Sequence, residues 1–248
     1  MGIFIHRDLI EKNHRLWNRK PLLQTIYAQF YRLMRGYLTN LSVSRVVELG
    51  SGIGNIKEEI PHCLRTDLFD VPWVDQIENA YEMSFADNSV SDLIMVDVFH
   101  HLRYPGEALR EFKRVLRPGG RVLIFEPCIG LLGWIVYGIF HVEPVAPFRP
   151  IEWFAPSGWA PEKLEYYAAQ GNATRVFRSN SAYPIWSDWK KVFVLRLSAL
   201  SYAASGGYSG PQLYPQKARE FVKGFEKVLD RFPALFATRM LVVLEKPA

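Results

Sequence analysis

The chain has little of what a secreted or metal-built scaffold requires. Only two cysteines, Cys63 and Cys128, occur in 248 residues. Both lie in or beside apolar strand-like runs, where buried reduced thiols are expected and a disulfide framework is not. No set of Cys, His or carboxylate side chains recurs at metal-ligand spacing, so no metal is expected. The apolar run from Cys128 to Val142 is free of Lys, Arg, Asp and Glu for fifteen residues, short of the roughly twenty that span a bilayer. It is read either as a buried helix or as one lying at an interface. There is no internal repeat and no low-complexity linker. The opening MGIFIHRDL carries charge where a secretion signal needs its apolar core, and His6 stands where a myristoylation signal has Ser or Thr. The cytoplasm is therefore the expected compartment.

What the chain does have is apolar content. At 49% apolar and 22% charged residues, it is long enough and greasy enough for one α/β domain with an ample core. The net charge of +5 is carried entirely by the first forty residues, through Arg7, Lys12, Arg15, Arg19, Lys20, Arg32 and Arg35 against Asp8 and Glu11. The same segment holds Leu23, Ile26, Tyr27, Phe30, Tyr31, Met34 and Leu38 at helical spacing, which predicts an amphipathic helix over 21–38. Such a helix either packs on the sheet with a solvated basic face or forms a lid whose basic face meets an anionic substrate or a membrane surface.

The stretch Val46-Val47-Glu48-Leu49-Gly50-Ser51-Gly52-Ile53-Gly54-Asn55 is the most informative. An apolar strand ends in an acid and turns through three alternating glycines, leaving backbone N–H groups to face a ligand with no Cβ in the way. Dinucleotide folds of the NAD type space their glycines as GxGxxG and place the ribose-binding acid about twenty residues later. Here the pattern is ExGxGxG with the acid inside the first strand, which points to S-adenosylmethionine instead.

Downstream, Cys63 to Asp67 reads as a short strand ending in an acid, Asp92 to Asp97 as a buried strand leading into Val98-Phe99-His100-His101-Leu102, and Ala108, Leu109, Phe112, Val115 and Leu116 as one face of a helix. Arg117-Pro118-Gly119-Gly120 ends that helix and turns into a strand from Arg121 to Phe125. Further elements are a helix opened by Pro161 and closed by Gly171, strands over 191–197 and 239–246, and a final helix whose core face is Ala218, Phe221, Val222, Phe225, Val228 and Leu229.

With VVELGSGIGN, Asp67, NAYEMSFADNSVSDLIMVDVFHHL and LRPGGRVLIFEP in this order, residues 43–127 resemble the class I S-adenosylmethionine-dependent methyltransferases of the broad type 11 group. The nineteen positions from Glu48 to Asp67 are about one helical turn fewer than the family usually shows, so the first helix after the glycine loop should be short. The resemblance implies a Rossmann-like, seven-stranded, mostly parallel sheet flanked by helices, its last strand antiparallel. Along the chain it implies a single domain: an N-terminal helical lid (1–40), a cofactor-binding core (41–127), a substrate-side insertion after strand 5 (128–189), and C-terminal strands and helix completing the sheet (190–248).

By the same resemblance, Gly50, Ser51, Gly52 and Gly54 hold the methionine and ribose parts of the cofactor, with Glu48 orienting the loop or meeting the amino group through water. Asp67 accepts the ribose hydroxyls, a carboxylate offering two oxygens to a vicinal diol. Asn79, Ala80 and Val96 border the adenine side. For proton removal the candidates are Asp97 at the end of the fourth strand, His100 just beyond it and His141 after the apolar run; Glu126 and Glu143 also reach toward the acceptor, and His101 is expected to serve packing. The expected activity is methyl transfer to O or N of a small-molecule or lipid- or saccharide-linked acceptor, with peripheral membrane contact if the apolar run lies at an interface. The alternative is a non-catalytic binding module on the same fold. Nucleic acid is disfavoured as substrate, since no Asn-Pro-Pro-aromatic motif or paired catalytic cysteines occur and the basic region is confined to one helix.

Overall fold

The computed structural model describes every residue except 1, 40–43, 140–142, 144, 147, 163–165, 179–186 and 209, and for residues 2–6 the backbone alone. Its centre is a seven-stranded sheet of β1 (Val46–Leu49), β2 (Leu64–Asp67), β3 (Gln76–Ile77), β4 (Val90–Val96), β5 (Leu116–Pro127), β6 (Lys190–Leu197) and β7 (Arg239–Glu245), in the order β3-β2-β1-β4-β5-β7-β6. β7 runs antiparallel to both of its neighbours and the remaining pairs are parallel. Helices cover both faces, so the central strands read as almost unbroken apolar runs rather than alternating ones. The order reverses between β1 and β4, and at the carboxyl ends of those strands an open α/β sheet forms its ligand crevice.

The N-terminal helices α1 (Gly2–Trp17) and α2 (Pro21–Arg35) cover one face. Pro21 fits the first turn of α2, where no N–H is needed. The stripe Leu22, Leu23, Ile26, Phe30 and Met34 is buried against Val46, Ile94, Leu123, Phe125, Leu241 and Val243. Of the two readings of this helix, the structure shows sheet packing. Its basic residues Arg32 and Arg35 lie outside and pair with Glu59 at 2.8 and 3.8 Å. On the opposite face α3 (Pro105–Val115) and α5 (Asn172–Arg178) bury Leu109, Phe112 and Phe177 with Val47, Leu93, Val122 and Val242. Between β1 and β2 the chain makes only one 3₁₀ turn, Asn55–Glu58, in keeping with the shortened spacing.

Two sequence expectations fail. Among the described residues, the segment from Pro161 to Gly171 contains no helix. It is held extended, with Ala169 N–H donating to the His100 carbonyl at 3.1 Å and Gln170 bridging to Val145. Gly171, at φ +87°, then turns the chain into α5. The second failure concerns the last amphipathic helix, α7 (Arg219–Leu229), whose apolar stripe faces outward, Phe221 being 81% exposed and Phe225 and Val228 about half so. The reason is polar. Glu226 and Asp230 turn inward to accept 2.6 Å hydrogen bonds from the Ser201 and Ser198 amides, leaving Leu229 as the one buried apolar residue of the helix.

Candidate active site

β1 delivers Glu48 to the crevice, and the glycine turn follows. Gly50, Gly52 and Gly54 all take positive φ (68°, 52° and 70°). At Gly54 a Cβ would meet the Trp73 carbonyl at 2.4 Å, so that position is closed to any side chain; over Gly52 the space is open. The turn is locked from β2: Ser51 N–H donates to the Thr66 carbonyl at 2.8 Å, and Gly52 N–H donates to Asp67 Oδ2 at 2.8 Å. Asp67 Oδ1 also accepts from Phe69 N–H at 3.2 Å. The acid read as a ribose ligand thus stands at the loop and is fixed in direction by two backbone donors.

Glu48 is buried beside α2. The Tyr31 hydroxyl donates to Asn55 Oδ1 at 2.9 Å and lies 3.3 Å from Glu48 Oε1. Glu48 Oε2 and Asn55 Nδ2 are buried with no hydrogen-bond partner among the described residues. Burial pushes the Glu48 carboxyl up from 4.5 to about 8, against the hydrogen bonds from Ser51 and Tyr31 that favour its anion. An orphaned carboxyl oxygen and an orphaned amide N–H₂ beside an open glycine turn are the acceptor and donor that an amino-acid ammonium and carboxylate need, since buried polar groups are costly unless paired. The residues fit the methionine end of S-adenosylmethionine. Asn55 and Tyr31 stand beside Glu48 at this spot and were not singled out in the sequence; for Asn55 the signal was its place next to the last glycine.

On the adenine side Asn79 works as a turn former. Its Oδ1 accepts from Tyr81 N–H at 3.0 Å and its amide donates to the Pro161 carbonyl at 3.0 Å. Ala80 packs partly buried on the α3 side of the core, and Val96 ends β4 on the α2 side.

Asp97 follows β4 in the left-handed conformation at φ 58°, a region Asp tolerates better than most residues. Its carboxylate takes a hydrogen bond from Arg239, the first residue of β7, which is buried and lies 4.2 Å over the Tyr202 ring. Tyr27, Tyr137, Tyr202 and Tyr208 surround this pair, all with hydroxyls pushed up first by burial. Arg239 Nε has no partner among the described residues. Arg239 was invisible in the sequence because it lies 142 positions from Asp97.

The geometry gives His100 a different character from the base its position implied. It is buried, with Nδ1 2.7 Å from Glu126 Oε2 and Nε2 3.2 Å from Glu143 Oε2. Burial opposes its charge, but the two carboxylates outweigh that and raise it to about 10. A ring with both nitrogens engaged has no site ready to accept a proton. Glu126 meanwhile takes the Val98 and Phe99 amides at 2.7 and 2.6 Å and so caps the turn after β4. Glu143 is held well below the usual carboxylate range: burial opposes this, and His100, His101 and Gln170 override it. His101 Nδ1 donates to the Tyr167 carbonyl at 2.9 Å. His141 lies outside the described residues.

The sheet order, the acid-led glycine turn and the acid at the end of β2 define a Rossmann-like fold of the methyltransferase kind. Residues 48–124 match the family model of a methyltransferase domain. The demethylmenaquinone methyltransferase of Symbiobacterium thermophilum is 26% identical over 188 residues, covering 71% of this chain and 72% of that protein. Among solved structures, an S-adenosylmethionine-dependent methyltransferase of Thermotoga maritima aligns at TM-score 0.55 and 14% identity, over 95% of this chain and 99% of that one. A geranyl diphosphate methyltransferase in complex with S-adenosylmethionine aligns at 0.51 and 11%, over 88% and 85%. Residues 48–124 thus carry a methyltransferase domain, on the fold of the class I S-adenosylmethionine-dependent methyltransferases.

Proposed function

We propose that this methyltransferase acts on O or N of an amphiphilic acceptor, a small molecule or a lipid- or saccharide-linked one, taken up at an apolar surface. The observation that carries this reading is the helix after β5, α4 (Leu131–Ile139). Its inner side is fixed: Gly133 sits against the Cys128 and Ala237 carbonyls where no Cβ fits, and the Tyr137 hydroxyl donates to the Thr238 carbonyl at 3.0 Å, with its ring 6.0 Å from the Arg239 guanidinium. Its outer side presents Leu131, Trp134, Ile135 and Ile139 to solvent, with Trp134 half exposed. One helix therefore joins the Asp97–Arg239 centre to an apolar outer face, and an acceptor with a polar head and an apolar body suits both. No described helix is long and apolar enough to cross a membrane, so this face offers shallow contact only. The demethylmenaquinone relative is in keeping with an amphiphilic acceptor and lends nothing to O or N as the target atom.

The bound cofactor supplies an electrophilic methyl group on a sulfonium. Glu48, Asn55, the glycine turn and Asp67 would hold it, which leaves alignment of the acceptor as the chain's main task. Of the described candidates for proton removal, Asp97 is partly exposed, at 29%, whereas His100 is buried. Arg239 fixes its direction from behind. Co-sedimentation with anionic vesicles tests the acceptor surface. A Trp134→Glu, Ile135→Glu variant that still binds cofactor should lose salt-sensitive binding; absence of binding by the intact chain even at low salt argues for a water-soluble acceptor instead.

A further inference from the structure

We propose that His100, His101 and Glu143, with Gln170 beside them, form a binding site for a divalent transition-metal ion of the zinc class. One ligand atom from each of the first three lies within 4.8 Å of the others, at the carboxyl edge of β4. Spacing along the sequence hides the set, because Glu143 stands 43 positions beyond His100 and Gln170 a further 27.

Both Glu143 oxygens are held from this cluster: the Tyr166 hydroxyl donates to Oε1 at 2.9 Å and the Gln170 amide to Oε2 at 2.6 Å, beside the charged His100 ring. His101 Nδ1 faces the Tyr167 carbonyl at 2.9 Å and must donate to it, which leaves the Nε2 lone pair directed at Glu143 Oε1, 3.6 Å away. His100 Nδ1 donates to Glu126 Oε2 at 2.7 Å, and its Nε2 stands 3.2 Å from Glu143 Oε2. The Gln170 amide nitrogen lies 3.2 Å from that Nε2, and both groups converge as donors on Glu143 Oε2. At the same time Gln170 Oε1 is buried with no partner among the described residues. Two imidazole nitrogens and a carboxylate converge here beside an unpartnered amide oxygen, a donor set that a divalent ion takes up by displacing the His100 proton.

A single dication in place of the His100 proton engages the whole set. Ligands about 2.0–2.2 Å from a tetrahedral zinc are separated from one another by about 3.3–3.6 Å, which brackets the His101–Glu143 distance and nearly meets the His100–Glu143 one. Turning the Gln170 amide over offers Oε1 as a fourth ligand. The outer partners are those a metal-bound histidine usually has: a carboxylate, Glu126, on one Nδ1 and a backbone carbonyl, Tyr167, on the other, each fixing the tautomer that frees Nε2. Neutral imidazoles with a carboxylate suit zinc, iron or nickel better than calcium or magnesium. The ion would clamp Glu143 and the extended 166–170 segment onto the turn that follows β4.

The test uses the full chain stripped with chelator and then titrated with zinc chloride by calorimetry and with cobalt(II) by visible absorption, S-adenosylmethionine being left out. One ion per chain, low-coordination cobalt bands and a raised melting temperature are expected. Glu143→Ala and His101→Ala, both at partly exposed positions, should each weaken zinc binding by about 100-fold or more while remaining folded by circular dichroism. A folded chain that takes up no stoichiometric zinc or cobalt overturns the proposal, and so does binding that is unchanged in both variants.

Discussion

Glu48 and Asp67 are two acids at one turn with opposite environments. Asp67 is held by the Gly52 and Phe69 amides, whereas Glu48 is buried with one oxygen unpartnered and is pushed to about 8. Between about pH 4.5 and pH 8 the folded protein keeps the Glu48 proton that the unfolded chain has released. The unfolded state then binds fewer protons, so this residue's contribution to stability falls as pH rises through that window and levels off above it. Denaturant unfolding of wild type and Glu48→Gln at each end of the window should show wild type losing stability relative to the variant by a few kcal/mol, roughly the shift converted at about 1.4 kcal/mol per unit. An unchanged difference between the two would mean that the carboxyl is ionised in the fold. Asp67→Ala should weaken S-adenosylmethionine binding by about 1–3 kcal/mol in calorimetry, through unpaired ribose hydroxyls and a loosened Gly52 amide; equal affinities would remove Asp67 from the cofactor site.

At the scale of elements, strands were easier to read than helix faces. β1, β4 and the second half of β5 announce themselves because strands buried on both sides are largely apolar, while β2 is marked by its terminal acid, and the glycine turn fixes which ends of them matter. Helical periodicity, by contrast, finds a helix without saying which side faces the sheet. α2 buries its stripe and α7 exposes its own, and what separates them is where Glu226 and Asp230 find the Ser201 and Ser198 amides, contacts 25 and 32 positions away. For α7 this makes a sharp contrast testable by thermal or denaturant unfolding. Phe221→Ala should change stability by no more than about 0.5 kcal/mol, as a surface substitution does, while Leu229→Ala should cost about 2–3 kcal/mol. Equal large costs would place the Phe221 face in a core. The stretch from Pro161 to Gly171 misled for a related reason: proline and glycine punctuate a helix plausibly, yet the backbone there is committed to the His100 carbonyl and to Val145.

For the whole molecule, the sheet reversal gathers at one edge residues that the sequence scatters. Asp97 meets Arg239, and His100 meets Glu126, Glu143 and Gln170, from opposite sides of that edge. The candidate cofactor turn is legible because it is local, an acid and three glycines within seven residues. The proposed acceptor side is not, since its residues come from β4, β7 and the stretch after β5, and only folding brings those together. Outside it lies the apolar face of α4. The most direct measurement is methyl transfer from isotopically labelled S-adenosylmethionine into lipid extracts and into water-soluble metabolite pools, followed by mass detection. The account predicts label on O or N of an amphiphilic compound, reduced by about 5- to 150-fold with Asp67→Ala at limiting cofactor and slowed by about 10²–10⁴ in a folded Asp97→Asn that still binds cofactor. Label found only on water-soluble acceptors, or transfer at the wild-type rate by Asp97→Asn, would contradict it.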